Sequence, residues 1–380
     1  MRIRTVALLL APLLLVLAVE ALFQAGVWEP LARPASHAGV SVRTKRALSD
    51  PAIARLDFVT LGSSRPEYGL DHALLAAEAR RHGLVHANAS MPGSHWMTIG
   101  VLTRWLARRR PELQGGVIAL AIDDFLYAGN GSYELGIVYP FHRPADIPLM
   151  AAHVPFARGD LASYGAWSAL FAWREDLQDF LRNPTARLDS LDWHARNRTT
   201  EYILFGNAEH DGDMCAFGVD TLAACDRVDA SATPQADGLR NQCARLRGMA
   251  SGRDSVDAWL AQSPPPDVLA RTRDQVRAKL RALTWPRAPV VVLMPTPRVW
   301  TQVLARGQHA WTLSVLQPLV DEGRIRLIDG TTFFDDDADA GCAAFFDFYH
   351  QNAAGRERFT RWLLPQLEDA LYAGGDTLAR

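Results

Sequence analysis

The chain reads as an α/β protein: a doubly wound, five-stranded parallel sheet with an inserted helical and loop-rich region. Two observations predict it. Short apolar runs alternate with segments of helical period over residues 57–122, and the alternation resumes over 266–372. The residue types that carry chemistry fall just after the apolar runs, at the edge where open parallel sheets bind ligands. Strand, helix, strand in strict alternation implies right-handed crossovers and a parallel sheet.

Residues 57–62 (Asp-Phe-Val-Thr-Leu-Gly) read as a buried strand ending in a glycine turn. A helix is expected over 68–82, with Leu70, Leu74, Leu75 and Ala79 on one side, then a short strand over 84–88. A second helix spans 94–110 and is closed by Pro111; residues 116–122 form the strongest strand. The alternation lapses from 128 to 265, where an aromatic helical stretch (167–181) precedes a cysteine-bearing, loop-rich part (206–243). It resumes with a helix over 266–283, a strand over 289–294, a helix over 300–322, a strand over 325–329 and a last helix to Tyr372. The expected organisation is therefore an N-terminal signal anchor (1–28), a linker (29–55) and a catalytic domain (56–372) with an insertion (128–265).

The first segment sets the compartment. Arg2 and Arg4 precede an apolar run from Val6 to Val19, then Glu20 and a short run, Ala21-Leu22-Phe23. Counting Glu20 and Gln24 at the outer interface, the run reaches the roughly 20 residues of a spanning helix. The Val19-Glu20-Ala21 site is poor by the small-residue rule for signal peptidase, so an uncleaved anchor is expected rather than a removed signal peptide. The flanking arginines should stay cytoplasmic, which places the remainder in the periplasm, tethered to the inner membrane. Four cysteines (Cys215, Cys225, Cys243, Cys342) fit an oxidising compartment. The shortest loop would join Cys215 to Cys225 and leave Cys243 with Cys342, although three pairings are open. None makes a C-x-x-C spacing, so no metal and no cofactor is expected. The net charge of -2, with no long basic block, gives no reason to expect nucleic acid. Eleven tryptophans are read as core and rim packing.

The chemistry is read from two distant segments. Leu61-Gly62-Ser63-Ser64-Arg65 closes the first strand, and Asp347-Phe-Tyr-His350-Gln-Asn352-Ala-Ala-Gly355 opens the last helix. A serine at a strand-to-helix turn is a nucleophile only with an adjacent base. His350 would take the Ser64 proton, and Asp347 would orient the imidazole. Ser63 is a second candidate nucleophile. Asn88-Ala-Ser-Met-Pro-Gly93 follows the second strand, where Gly93 can bring an N–H to an anionic oxygen. Each has a plainer reading: Ser64 as a helix N-cap, Pro92-Gly93 as a turn, Asp347 and Asn352 as capping residues. Arg65 and Arg298 lie at strand ends, available to an anionic polymer or to surface packing alike. Asp335, Asp336, Asp337 and Asp339 lack an EF-hand spacing and read as a solvated acidic loop. His194 and His210, in the insertion, are given no chemical role. Asn88, Asn130 and Asn197 begin N-x-[ST] sequons.

These motifs resemble the SGNH (GDSL-type) hydrolases, esterases and acyl transferases with a flavodoxin-like fold. Gly62-Ser63-Ser64 looks like the first block, with Ser63 replacing the usual aspartate. Asn88 to Gly93 looks like the second block and Asp347 to His350 the fifth. The resemblance implies Ser64, Gly93 and the Asp123 position as the oxyanion hole, and Ser64, His350 and Asp347 as the catalytic residues. The third block departs: Ala121-Ile-Asp123-Asp124 stands where the family has Gly-x-Asn-Asp. An ionised Asp123 cannot donate a hydrogen bond to an oxyanion. Asp123 must be protonated, point elsewhere, or leave the hole to backbone groups. The Gly-Ser-Ser block, the missing asparagine and the anchor look like the membrane-tethered branch, which resembles the alginate O-acetylation and teichoic acid D-alanyl transfer proteins. That branch implies a serine-dependent O-acyl transferase or esterase acting on a cell-envelope polysaccharide, with an acyl donor, a polysaccharide acceptor and a membrane-bound O-acyltransferase as partners. The alternative is a non-catalytic, tethered polysaccharide-binding protein on a decayed fold.

Overall fold

The computed structural model describes residues 2–129, 134–196, 203, 205, 206, 210–219, 221–250 and 266–372; for 2–10, 126–129, 162, 249, 250 and 301–306 it describes the backbone alone. The sequons at Asn130 and Asn197 lie outside the described residues. Five strands form one sheet: β1 (Phe58–Gly62), β2 (His86–Asn88), β3 (Gly115–Leu120), β4 (Val290–Leu293) and β5 (Arg326–Asp329). Their order is β2-β1-β3-β4-β5 and every neighbouring pair is parallel. Strands covered on both faces need no polar alternation, which is why β1, β3 and β4 are continuous, fully buried runs. The edge strand β5 is largely open and correspondingly more polar.

The helices fall into two packed groups. α3 (Ser64–Gly69) and α4 (His72–Arg81) pack with the Ala353–Leu367 helix; α5 (Trp96–Arg109) packs with the Pro266–Arg281 helix, which also meets Arg298–Asp321. The expected helix over 68–82 is two. Leu70 turns extended after Gly69, and the Asp71 carboxylate caps the new helix by accepting from Leu74 N at 2.9 Å. The chain leaves β1 for β2 on one side and returns for β3 on the other. This reversal opens a crevice at the carboxyl ends of β1 and β3.

Two expectations are corrected. Residues 29–55 are no linker: they hold a helix, α2 (His37–Leu48), whose Val42, Ala47 and Leu48 join the core. Its buried face also uses Gly39, Ser41 and Thr44, small or polar residues that carry no hydrophobic period. The cysteines pair as Cys215–Cys342 and Cys225–Cys243, not by the shortest loop. The second bond staples two consecutive helices, Ala223–Ala230 and Pro234–Ala250. Among the described residues the insertion is helix and turn, and adds no strand to the sheet.

At the N-terminus α1 runs from Arg2 to Gln24. Its described side chains begin at Ala11, and Ala11 to Ala18 are all exposed. Among the described residues no helix is long and apolar enough to cross a membrane.

Candidate active site

Gly62 ends β1 where no larger residue fits. A Cβ there would collide with the Ala119 carbonyl of β3 and with Pro66. The turn that follows makes Ser63 the N-cap of α3 and Ser64 its first residue. Ser63 Oγ accepts from Arg65 N at 3.3 Å and donates to the Asp124 carboxylate at 3.4 Å, so Ser63 has a capping role. The N–H of Ser64 belongs to the opening turn of the helix, where no intrahelical acceptor exists.

From the other end of the chain, a tight loop delivers the base. His350 Nε2 lies 2.9 Å from Ser64 Oγ, and His350 Nδ1 lies 3.0 Å from Asp347 Oδ2 and 3.1 Å from Oδ1. A carboxylate at Nδ1 holds the proton on that nitrogen and leaves Nε2 to accept from the serine hydroxyl. Asp347 also accepts from the backbone N–H groups of Tyr349 (2.7 Å) and His350 (2.8 Å). Burial alone would raise the Asp347 pKa; the imidazole and these N–H groups outweigh it and hold the carboxyl below its usual range. The loop is closed by a bridge between Phe345 and Gln351. Asn352 caps the last helix, accepting from Gly355 N at 3.0 Å while its amide donates to Ala343 O and Gly212 O. Gln235 donates to Phe346 O (2.9 Å) and Gln242 accepts from Phe348 N (3.1 Å). With the Cys215–Cys342 bond, these contacts make the insertion the buttress of the His350 loop.

The other flank of Ser64 is built differently. Met91 N donates to Gly62 O at 3.0 Å, which lays the Asn88–Gly93 segment beside the serine turn. Gly93 has φ +76°, the left-handed region, and is walled by Ile137 and His37, so α2 contributes to this flank. Asp123 does not stand as a lone acceptor. Its Oδ2 pairs with Arg65 Nη2 at 2.7 Å, and both residues are buried. Arg65 is thus neither a surface cation nor open to a polymer; its guanidinium also lies over the Tyr349 and Trp300 rings at 5.1 and 5.9 Å. The next carboxylate, Asp124, accepts from Ala121 N at 2.9 Å and lies 3.4 Å from His95 Nδ1. Burial pushes both aspartate pKa values up, Arg65 opposes this, and for Asp123 the neighbouring Asp124 adds to the rise. Two adjacent buried carboxyls facing one guanidinium favour retention of a proton between them. Asp123 Oδ1, the oxygen not held by Arg65, is buried without a partner.

Sequence reasoning missed the aromatic surround of His350. Tyr68 packs edge-on against it at 5.1 Å, and His210 lies 5.9 Å from it, stacked on Phe346 at 4.3 Å and tilted against Tyr68 at 4.1 Å. Burial, and next the proximity of His350, lower the His210 pKa. Nothing local marked His210, because its neighbours come from elements far away in the chain. His194 is a buried structural histidine contacting Ala32 O at 2.8 Å. Arg298 donates to Asp335 O, while Asp337 pairs with Arg358 and Asp339 accepts from Gly341 N.

A cavity of about 590 Å³ between α2 and the Pro184–Arg196 helix, and one of about 580 Å³ beside α5, include none of Ser64, His350 or Asp347. Ser64, Asp347 and His350 are each partly buried at the carboxyl-end rim of the sheet. No family model matches the chain, and no curated protein matches it.

Proposed function

We propose that this protein is a serine-dependent O-acyl transferase or esterase that works through an acyl-enzyme on Ser64. The observation that carries the reading is the continuous Ser64–His350–Asp347 hydrogen-bonded chain at the switch point of the sheet. Ser64 Oγ attacks the acyl carbonyl as His350 Nε2 takes its proton. The tetrahedral intermediate collapses, the bond to the donor's leaving group breaks, and His350 returns the proton to that group. An acceptor hydroxyl then gives its proton to His350 and attacks the ester; Ser64 leaves with the proton restored. With water as acceptor the same steps are hydrolysis. The N–H groups of Ser64 and Gly93 are the donors proposed for the oxyanion, because Asp123 is committed to Arg65.

The wider reading is membership of the membrane-tethered SGNH branch, with a cell-envelope polysaccharide as acceptor, a membrane-bound O-acyltransferase as acyl source and α1 lodged in the inner membrane. It is supported by the motif resemblance, by the partial exposure of Ser64 and His350 and by the exposed apolar surface of α1. A second reading, a binding protein without turnover, is favoured by one observation: a paired carboxylate stands at the usual oxyanion asparagine position.

Intact-mass measurement of the full chain after exposure to a chromogenic acyl ester decides between them. An added acyl mass on the wild type that is lost in Ser64→Ala supports catalysis. No adduct, with equal product release by both proteins, would end it. Polymer binding that survives loss of both Ser64 and His350, with no turnover, would establish the second reading.

A further inference from the structure

α1 is apolar on every side that is described. Ala11 to Ala18 are eight successive exposed residues, and Leu13, Leu14, Leu15, Val16 and Leu17 are each more than half exposed. At about 100° per residue such a run faces all directions. A helix apolar all round needs an apolar surround, and the protein's own body does not supply it.

This helix is nonetheless bolted to the domain at its inner end. Glu20 accepts from Ser168 Oγ (2.7 Å), Ala169 N (2.7 Å) and Leu170 N (3.1 Å). Gln24 Oε1 meets His142 Nε2 at 2.6 Å, and Phe23 stacks on Trp28, whose Nε1 donates to Asp176 at 2.7 Å. Around the bolt, the insertion turns apolar side chains outward: Phe156, Leu161 and Trp167 are 58%, 56% and 54% exposed, and Phe171 is 37% exposed. Ring contacts join Phe156 to Tyr164 (5.0 Å) and Tyr164 to Phe171 (5.2 Å), so the patch reaches the helix that receives Glu20.

We propose that residues 156–171 form a membrane-interface platform, seated at headgroup level on the same lipid surface that covers α1. The inference rests on the reading that α1 lies in lipid. The occupant is argued from continuity: Leu17 and Glu20 are three residues apart, about 4.5 Å of helix rise, so the bolt and its aromatic surround begin where the exposed apolar run stops. Aromatic rings carrying a polar tip, here Tyr164 and Trp167, suit that depth. The domain is thereby held in one attitude to the bilayer and does not swing on a tether.

The test uses the full chain, reconstituted into phosphatidylethanolamine–phosphatidylglycerol vesicles, with a small fluorescent amino acid in place of the exposed Trp167. Lipid spin labels near the headgroup should remove about half or more of its emission, deep labels and aqueous iodide far less. Protein that fails to float with the vesicles overturns the α1 reading and the platform together. Protein that floats, but whose label is quenched by iodide and not by lipid, overturns the platform alone. A label shielded from both quenchers assigns the surface to a protein partner and likewise overturns it. Adduct formation at Ser64, measured on the same sample, judges the catalytic reading separately.

Discussion

The two flanks of Ser64 are stabilised in opposite ways. On the base side, Asp347 accepts from two backbone N–H groups and the imidazole, and His350 reaches the serine. On the other side, Asp123 and Asp124 are buried next to each other and share one guanidinium, and Asp123 Oδ1 and Arg65 Nη1 lack partners. The first arrangement is a complete relay whose His350 and Asp347 side chains keep 20% and 14% of their surface open to solvent. The second is a closed electrostatic support whose parts never reach it. The difference teaches where catalysis and stability should separate. Changes on the base side should cost rate with little stability, and changes in the Arg65–Asp123 support should cost stability first.

The largest effect is expected at the base. His350→Ala should lower the rate of ester turnover by about 10⁴-fold, and Asp347→Asn by about 10²- to 10⁴-fold, because the wrong tautomer is then favoured. The thermal midpoint should move little in His350→Ala and modestly in Asp347→Asn, whose amide oxygen still accepts from the loop N–H groups but loses the charge that holds them. A large fall in stability together with activity would break the contrast. Arg65→Met comes next. Removing the guanidinium that pairs with buried Asp123 at 2.7 Å should cost about 3–5 kcal/mol of unfolding free energy. Arg65→Met with Asp123→Asn should recover part of the loss, because the orphaned charge goes with its partner. Denaturant titration of the three proteins checks this, and an Arg65→Met protein as stable as wild type would show that the aspartates do not rely on the guanidinium.

What the sequence made legible follows the same division. The strands at 57–62, 116–122 and 289–294 were readable because strands buried on both faces are unbroken apolar runs. The Asp347–His350 spacing was readable because its geometry is local: a three-residue separation places carboxylate and imidazole together in one turn. The support on the other flank was not. Arg65 looked like a surface cation, and only its distant partners Asp123, Trp300 and Tyr349 explain its burial. Helix α2 hid for another reason, since Ser41, Thr44 and Gly39 fill its buried face and give no periodic signal. His210 and Tyr68 meet His350 from elements that no local pattern connects.

The smallest expected effect probes how the quieter flank is held. Glu134 is fully buried and accepts from Thr98 N (2.8 Å) and Thr98 Oγ1 (3.0 Å) in the first turn of α5, whose N-cap residue His95 faces Asp124. Burial raises the Glu134 carboxyl to about 8. A carboxyl raised above its unfolded value binds more protons in the folded chain. Its contribution is complete below the unfolded pKa and drains away as pH climbs towards 8. The same burial lowers Lys279 to about 7, which acts in the opposite sense only above that pH. Between about pH 5 and 6.5 Glu134 is therefore read without Lys279, and wild type should lose more stability across that interval than Glu134→Gln. Glutamine keeps an acceptor for Thr98 and has no proton to give up, so parallel stability profiles for the two proteins would mean that Glu134 is ionised in the fold. In that case the α5 end of the flank is held by charge, like Asp123, and the burial of an uncharged carboxyl plays no part in it.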